Sequence, residues 1–117
     1  MSDWEKHAGY SEIEQLLQRN ITAVFCMTDR IAGGVYQYLH EQGMVAGRDL
    51  SVVGFDNQIL AEYMTPGLTT MALPLQEIGH TAARLLFEQM EEKEGKEKEI
   101  LIPCSFVERE SVCYRKD

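Results

Sequence analysis

Ile21-Thr22-Ala23-Val24-Phe25-Cys26-Met27 is an unbroken β-prone run, and it constrains the chain more than any other feature. A strand without polar alternation fits burial on both faces, as in a parallel sheet. Ile31, Val35 and Leu39 then return at a spacing of four, supported by Tyr38, and Gly43 stands where a left-handed C-terminal cap is needed. A helix is expected from about Arg30 to Gln42. Leu50-Ser51-Val52-Val53-Gly54-Phe55 is the next strand, and it runs into Asp56-Asn57, a pair suited to a tight turn or a helix start. Strand, helix, strand makes a right-handed βαβ crossover.

The flanking segments extend the alternation. Tyr10, Ile13, Leu16 and Leu17 recur at helical spacing, and this segment ends near Asn20. A short helix over Ile59 to Met64 stops at Thr65-Pro66-Gly67, because Pro66 disfavours a helical conformation at the residue before it. The chain is then extended through Leu68-Thr69-Thr70-Met71. Pro74 suits the first turn of a long helix whose Leu75, Ile78, Ala82, Leu85 and Leu86 form one apolar stripe. That stripe needs cover, by folding back on the sheet or by exchange with a second copy. Glu91 to Glu99 reads as a solvated helix end and turn. Ile100-Leu101-Ile102 and Ser105-Phe106-Val107-Glu108-Arg109 supply two more short strands, before a polar tail to Asp117. With no linker and no solenoid repeat, a single α/β unit is expected.

Charge narrows the function. Among 117 residues, 11 Lys plus Arg face 19 Asp plus Glu, a net charge of -8, with no basic block. By itself the chain is not expected to bind nucleic acid. No run approaches the roughly 18 to 20 apolar residues that span a bilayer, and Met1-Ser2-Asp3-Trp4-Glu5 is unlike a signal peptide, so a soluble, cytosolic chain is expected. Cys26, Cys104 and Cys113 form no C-x-x-C pair, and His7, His40 and His80 lack partners at metal-ligand spacing. No metal and no cofactor are therefore expected. Ser11, Ser51, Ser105 and Ser111 lack a G-x-S-x-G setting, and no glycine-rich phosphate loop is present, which leaves no expected enzyme activity.

In an open parallel sheet, ligands bind at the carboxyl ends of the strands. Asp29 and Asp56 each follow such an end. For Asp29, a helix-capping role and a ligand contact stand side by side. For Asp56 the ligand role is favoured, because Asn57 next to it can do the capping. Trp4, the only tryptophan, is read either as packed on the core or as a stacking platform ahead of the first helix, for the apolar face of a sugar or base.

Taken in order, several stretches resemble the effector-binding domain of LacI/GalR-type bacterial transcriptional repressors. They are Asp3-Trp4 with Gly9-Tyr10, Ala23-Val24-Phe25-Cys26-Met27-Thr28-Asp29 with Ala32 and Gly34, Gly43, and Asp49 through Asn57. Thr65-Pro66-Gly67-Leu68-Thr69-Thr70, Pro74, Gly79, Ala82, Leu85-Leu86 and Val107-Glu108-Arg109-Glu110-Ser111 continue the series. The resemblance implies one three-layer, parallel-sheet α/β lobe of a periplasmic-binding-protein-like (type I) fold, truncated. Residues 1–73 and 103–117 would form the second lobe, and 74–102 would be a segment that normally belongs to the first. The helix-turn-helix headpiece is expected to be absent, so DNA would be reached only through it.

The resemblance also assigns roles. Trp4 matches the family's stacking aromatic, and Asp56 the acidic residue that holds effector hydroxyls or ring nitrogens. Thr28 stands where many sugar-responsive members carry Asn, and Leu73 where many carry a ligand-touching Gln. Both differences remove amide groups and point to a different or less polar ligand. Effector contacts are thus expected at Trp4, Asp56, Asp29, Thr28 and Leu73. A homodimer is expected through Gly33, Tyr36, Gln37, Leu60, Tyr63 and Met64, with Gly33 and Gly34 permitting close approach. The implied function is a small-molecule sensor, for a sugar or related metabolite, in a cytoplasmic transcription regulator. Two alternatives are a sugar-binding protein of a transport system and a phosphoacceptor receiver domain.

Overall fold

The computed structural model describes residues 3–92 and 97–115. Two compact units emerge: Met1–Ala72 with Phe106–Asp117, and Leu73–Ser105. The expected solvated turn after Met90 includes residues 93–96, and the polar tail includes 116 and 117. Both stretches lie outside the described residues.

Unit 1 opens with α1 (Trp4–Leu17), capped by Asp3, whose Oδ1 accepts the Lys6 N–H at 3.1 Å. Trp4 is therefore the first residue of the helix, not a residue ahead of it. The capping carboxylate moves the helix start well upstream of the apolar periodicity at Tyr10, by satisfying an otherwise orphan first-turn donor. β1 (Ala23–Phe25), α2 (Asp29–Glu41) and β2 (Ser51–Val53) follow, and β1 pairs with β2 in parallel, Val24 opposite Val52. Gly43 takes φ +71° just after α2.

Only the Val24 side of β1 is covered. Val24 packs on the core cluster, whereas Ala23 and Phe25 are exposed. The expected burial on both faces is corrected: successive strand residues point to opposite faces, and among the described residues of unit 1 the helices cover the Val24 side. That core holds Ile13, Val35, Leu39, Leu50, Val52 and Leu68, each such side chain contributing about 1.5–3 kcal/mol on full burial.

α1 and α2 cross at two glycines. A Cβ on Gly9 would collide with the Ile31 carbonyl, and one on Gly34 with the Lys6 carbonyl. Gly34 thus serves contact within the chain and not the expected dimer surface. Tyr10 reinforces the crossing, donating its hydroxyl hydrogen to Glu41 Oε2 at 2.5 Å and meeting Tyr38 edge-on, with centroids 5.6 Å apart.

After β2 come α3 (Ile59–Tyr63) and β3 (Thr70–Ala72). Parallel bridges Val53↔Thr69 and Asp56↔Ala72 join β3 to the β2 side. β4 (Ser105–Val107) pairs with β3, and the chain after it stitches β2 to β3. Ser111 donates its hydroxyl hydrogen to the Val52 carbonyl at 2.6 Å and accepts the Thr69 N–H at 2.8 Å, while its own carbonyl accepts the Val52 N–H. One buried serine thereby satisfies backbone groups on two strands.

Unit 2 contains α4 (Leu75–Glu91), with Pro74 as N-cap. None of its residues is buried, and Leu75 and Leu86 of the apolar stripe are exposed. The strand expected at Ile100-Leu101-Ile102 does not form. A strand needs a partner ladder, and among its described residues unit 2 offers only a helix before it. Among the described residues no helix is long and apolar enough to cross a membrane.

Candidate functional site

The polar residues of unit 1 converge where β2 and β3 end. The turn after β2 is built from two non-glycine residues in the left-handed half of backbone space, Asp56 at φ +112° and Asn57 at φ +57°. Asn and Asp tolerate the left-handed region better than most side chains, although +112° lies beyond its usual centre. Three tethers hold the turn. The Asp56 N–H donates to the Met71 carbonyl at 2.9 Å, and Arg109 Nη2 donates to Asn57 Oδ1 at 2.9 Å. The Gln58 amide Nε2 donates to Asp56 Oδ2 at 3.3 Å. The Asp56 side chain is half-buried, beside the end of β3.

Asp29 occupies a different position from the one its sequence context suggested. Thr28, not Asp29, caps α2, its Oγ1 accepting the Ile31 N–H at 3.2 Å. Asp29 is 0% exposed. Its Oδ1 accepts the Thr70 hydroxyl at 2.6 Å and its Oδ2 the Gln58 N–H at 2.7 Å. Burial pushes its carboxyl above the ordinary 3.8, opposed by these two hydrogen bonds. Gly54 makes the space, since a Cβ there would press on Asp29 Oδ1. Helix cap and direct ligand contact both give way to an internal brace, because the carboxylate is shut off from solvent and its two oxygens are already engaged.

Arg109 is a second brace. Its backbone N–H donates to Thr69 Oγ1 at 2.9 Å and its Nη1 to the Leu68 carbonyl at 2.8 Å, so the half-buried Arg109 links the segment just before β3 to the Asn57 turn. Gln58, Thr70 and Arg109 went unassigned by motif reading. Gln58 follows directly on the Asp56-Asn57 turn, which was the one local signal available.

Trp4 is 68% exposed. Arg30 connects its helix to the turn, approaching Asp3 Oδ2 at 3.5 Å and donating from Nε to Gln58 Oε1 at 3.2 Å. Leu73 is the first residue of unit 2 and is half-buried. Burial pushes the Cys26 thiol up to about 12, so it behaves as a core hydrophobe and not as a nucleophile.

The residues expected at a dimer surface divide. Gln37 and Tyr63 are exposed, and Gly33 has open space where a Cβ would stand. Leu60 is half-buried. Tyr36 and Met64 pack on the chain's own core, with the Tyr36 hydroxyl donating to the Pro66 carbonyl at 2.9 Å.

Known proteins share this architecture. The transcriptional repressor PurR of Erwinia tasmaniensis is 36% identical over 112 residues, covering 94% of this chain and 33% of the repressor. A LacI family transcriptional regulator from Enterococcus faecium, solved with bound ribose, superposes with a TM-score of 0.84 at 37% identity, over 95% of this chain and 41% of that one. A dimeric Lac repressor superposes at 0.81 with 29% identity, over 96% and 42%. The chain thus spans about a third of the length of the curated relatives it matches. The family model of the periplasmic binding protein-like domain matches residues 1–112, and with these relatives and this parallel α/β architecture, the chain belongs to the periplasmic binding protein-like domain family.

Proposed function

We propose that this chain is the effector-sensing and dimerising portion of a LacI-type transcription regulator, a switch without enzymatic activity. Asp56 carries the reading. Its carboxylate is half-buried at the carboxyl end of β2, aimed by an unusual backbone pair, and held from one side by Gln58. Such a group suits the hydroxyl or N–H donors of a small polar metabolite. Trp4 supplies an exposed aromatic face for stacking, and Thr28 retains a hydroxyl hydrogen to donate. Asp29 acts by positioning Gln58 and Thr70, not by touching the effector.

Ribose in the Enterococcus faecium regulator supports a sugar as the effector class. The dimeric Lac repressor supports a homodimer, here through Gly33, Gln37, Tyr63 and Ile59, an exposed residue that the sequence reading passed over. Binding would shift DNA affinity through differential stabilisation of two domain arrangements, in the cytoplasm where the operator lies.

Calorimetric titration of the native polypeptide with D-ribose, other aldopentoses, hexoses and sucrose tests the proposal. Saturable binding is expected, weakened about tenfold or more in Asp56→Ala, as fits the loss of one charged hydrogen bond. Binding of none of these compounds, or full affinity in Asp56→Ala, overturns it.

A further inference from the structure

Besides accepting the Ala61 N–H at its carbonyl, Gln58 makes three hydrogen bonds with three different residues. Its Nε2 donates to Asp56 Oδ2 at 3.3 Å, its Oε1 accepts from Arg30 Nε at 3.2 Å, and its backbone N–H donates to buried Asp29 at 2.7 Å. A side-chain amide has one accepting end and one donating end, while a guanidinium has donors only. Arg30 therefore demands the oxygen end of the Gln58 amide, and this turns the nitrogen end onto Asp56. The flipped amide would set oxygen against carboxylate and N–H against N–H. Arg30 is itself steadied by Asp3, the residue that caps the helix beginning at Trp4. Asp3, Arg30, Gln58 and Asp56 form a polar series within unit 1, from the start of α1 to the end of β2.

We infer that Gln58, oriented by Arg30, is a positioning residue that engages Asp56 Oδ2 and so presents Oδ1 to the effector. The inference rests on the reading of Asp56 as an effector contact. It explains how a carboxylate at a turn exposed to solvent is kept in one orientation: the amide holds one oxygen while Arg109 holds the neighbouring Asn57. It also predicts that one half-buried and one exposed polar side chain, Gln58 and Arg30, of small consequence for stability, matter for binding.

The test is a double-mutant cycle on the native polypeptide, with D-ribose as the probe and calorimetry as the readout. Gln58→Ala is expected to weaken ribose about five- to tenfold, within the range of a lost hydrogen bond to a charged group, while the melting temperature stays close to that of the parent. Arg30→Met is expected to weaken ribose in the parent but to have little further effect in the Gln58→Ala background. Arg30→Lys, which keeps a donor for Gln58 Oε1, is expected to restore most of the affinity. A merely structural role would give additive losses that follow the melting temperature. Ribose bound equally by the parent and Gln58→Ala overturns the inference alone. A parent protein that binds none of the sugars overturns the effector reading, and this inference with it.

Discussion

The hydroxyl of Thr70 donates to Oδ1 of Asp29 across 2.6 Å in the interior of unit 1, joining the start of α2 to β3. Both residues are fully buried. With the Gln58 N–H on its second oxygen, the carboxylate braces the scaffold beneath the Asp56 turn.

Asp29→Ala is expected to destabilise the protein by about 1–3 kcal/mol, since it strands two donors. The effect should depend on pH in a defined sense. Burial raises the folded carboxyl above 3.8, so the folded state binds the proton more tightly than the unfolded state does. The protonation-linked part of its contribution is fully present below 3.8 and is lost as pH rises through the folded value. Urea unfolding of parent and Asp29→Ala across that window should show their difference shrinking as pH rises.

Tyr36 should behave as a neutral core residue up to strong alkali. Burial raises its phenol to about 12 from an ordinary 10.0. Ultraviolet titration is expected to show a late tyrosine ionisation near pH 12, and Tyr36→Phe should remove that step. The linked stability is present below 10.0 and is lost as pH rises towards about 12. Tyr36→Phe should cost about 0.5–1.5 kcal/mol through the missing bond to the Pro66 carbonyl.

Adjacent glycines should respond in opposite ways. Gly34→Ala drives a methyl into the Lys6 carbonyl and is expected to cost about 1–3 kcal/mol or more by prising α1 from α2. Gly33→Ala meets open space within its own chain and should stabilise the monomer by up to about 1 kcal/mol. Melting temperatures of the two variants check both signs.

Tyr63 is 77% exposed on α3, whereas Met64 beside it packs on the core. Tyr63→Glu is expected to convert a dimer of the native polypeptide to monomer with its melting behaviour at the monomer level retained, read by sedimentation velocity. Met64→Glu should instead unfold the chain. An unchanged sedimentation coefficient for Tyr63→Glu would remove α3 from the interface.

The periodicities of this chain were enough to determine the strand-helix-strand alternation from Ile21 to Phe55. The β-prone run at Ile21–Met27, the four-residue recurrence from Ile31 and the Gly43 cap translate directly into β1, α2 and its end, because backbone sterics and the burial of one face are local matters. The ordered motifs around Asp29, Asp56 and Arg109 likewise carried the family resemblance in one dimension. Tertiary structure alone decided what those residues do. Asp29 and Asp56 look equivalent in sequence, each just past a strand, yet Gly54 and Thr70 enclose the first while the second stays half-open at its turn. Gly33 and Gly34 are neighbours of one type, yet only Gly34 faces another helix. Ile100-Leu101-Ile102 has strand composition and forms none, since pairing requires a partner that local composition cannot supply. Gln58 acquires its role only because Arg30, distant along the chain, is folded against the oxygen end of its amide and so turns the nitrogen end onto nearby Asp56.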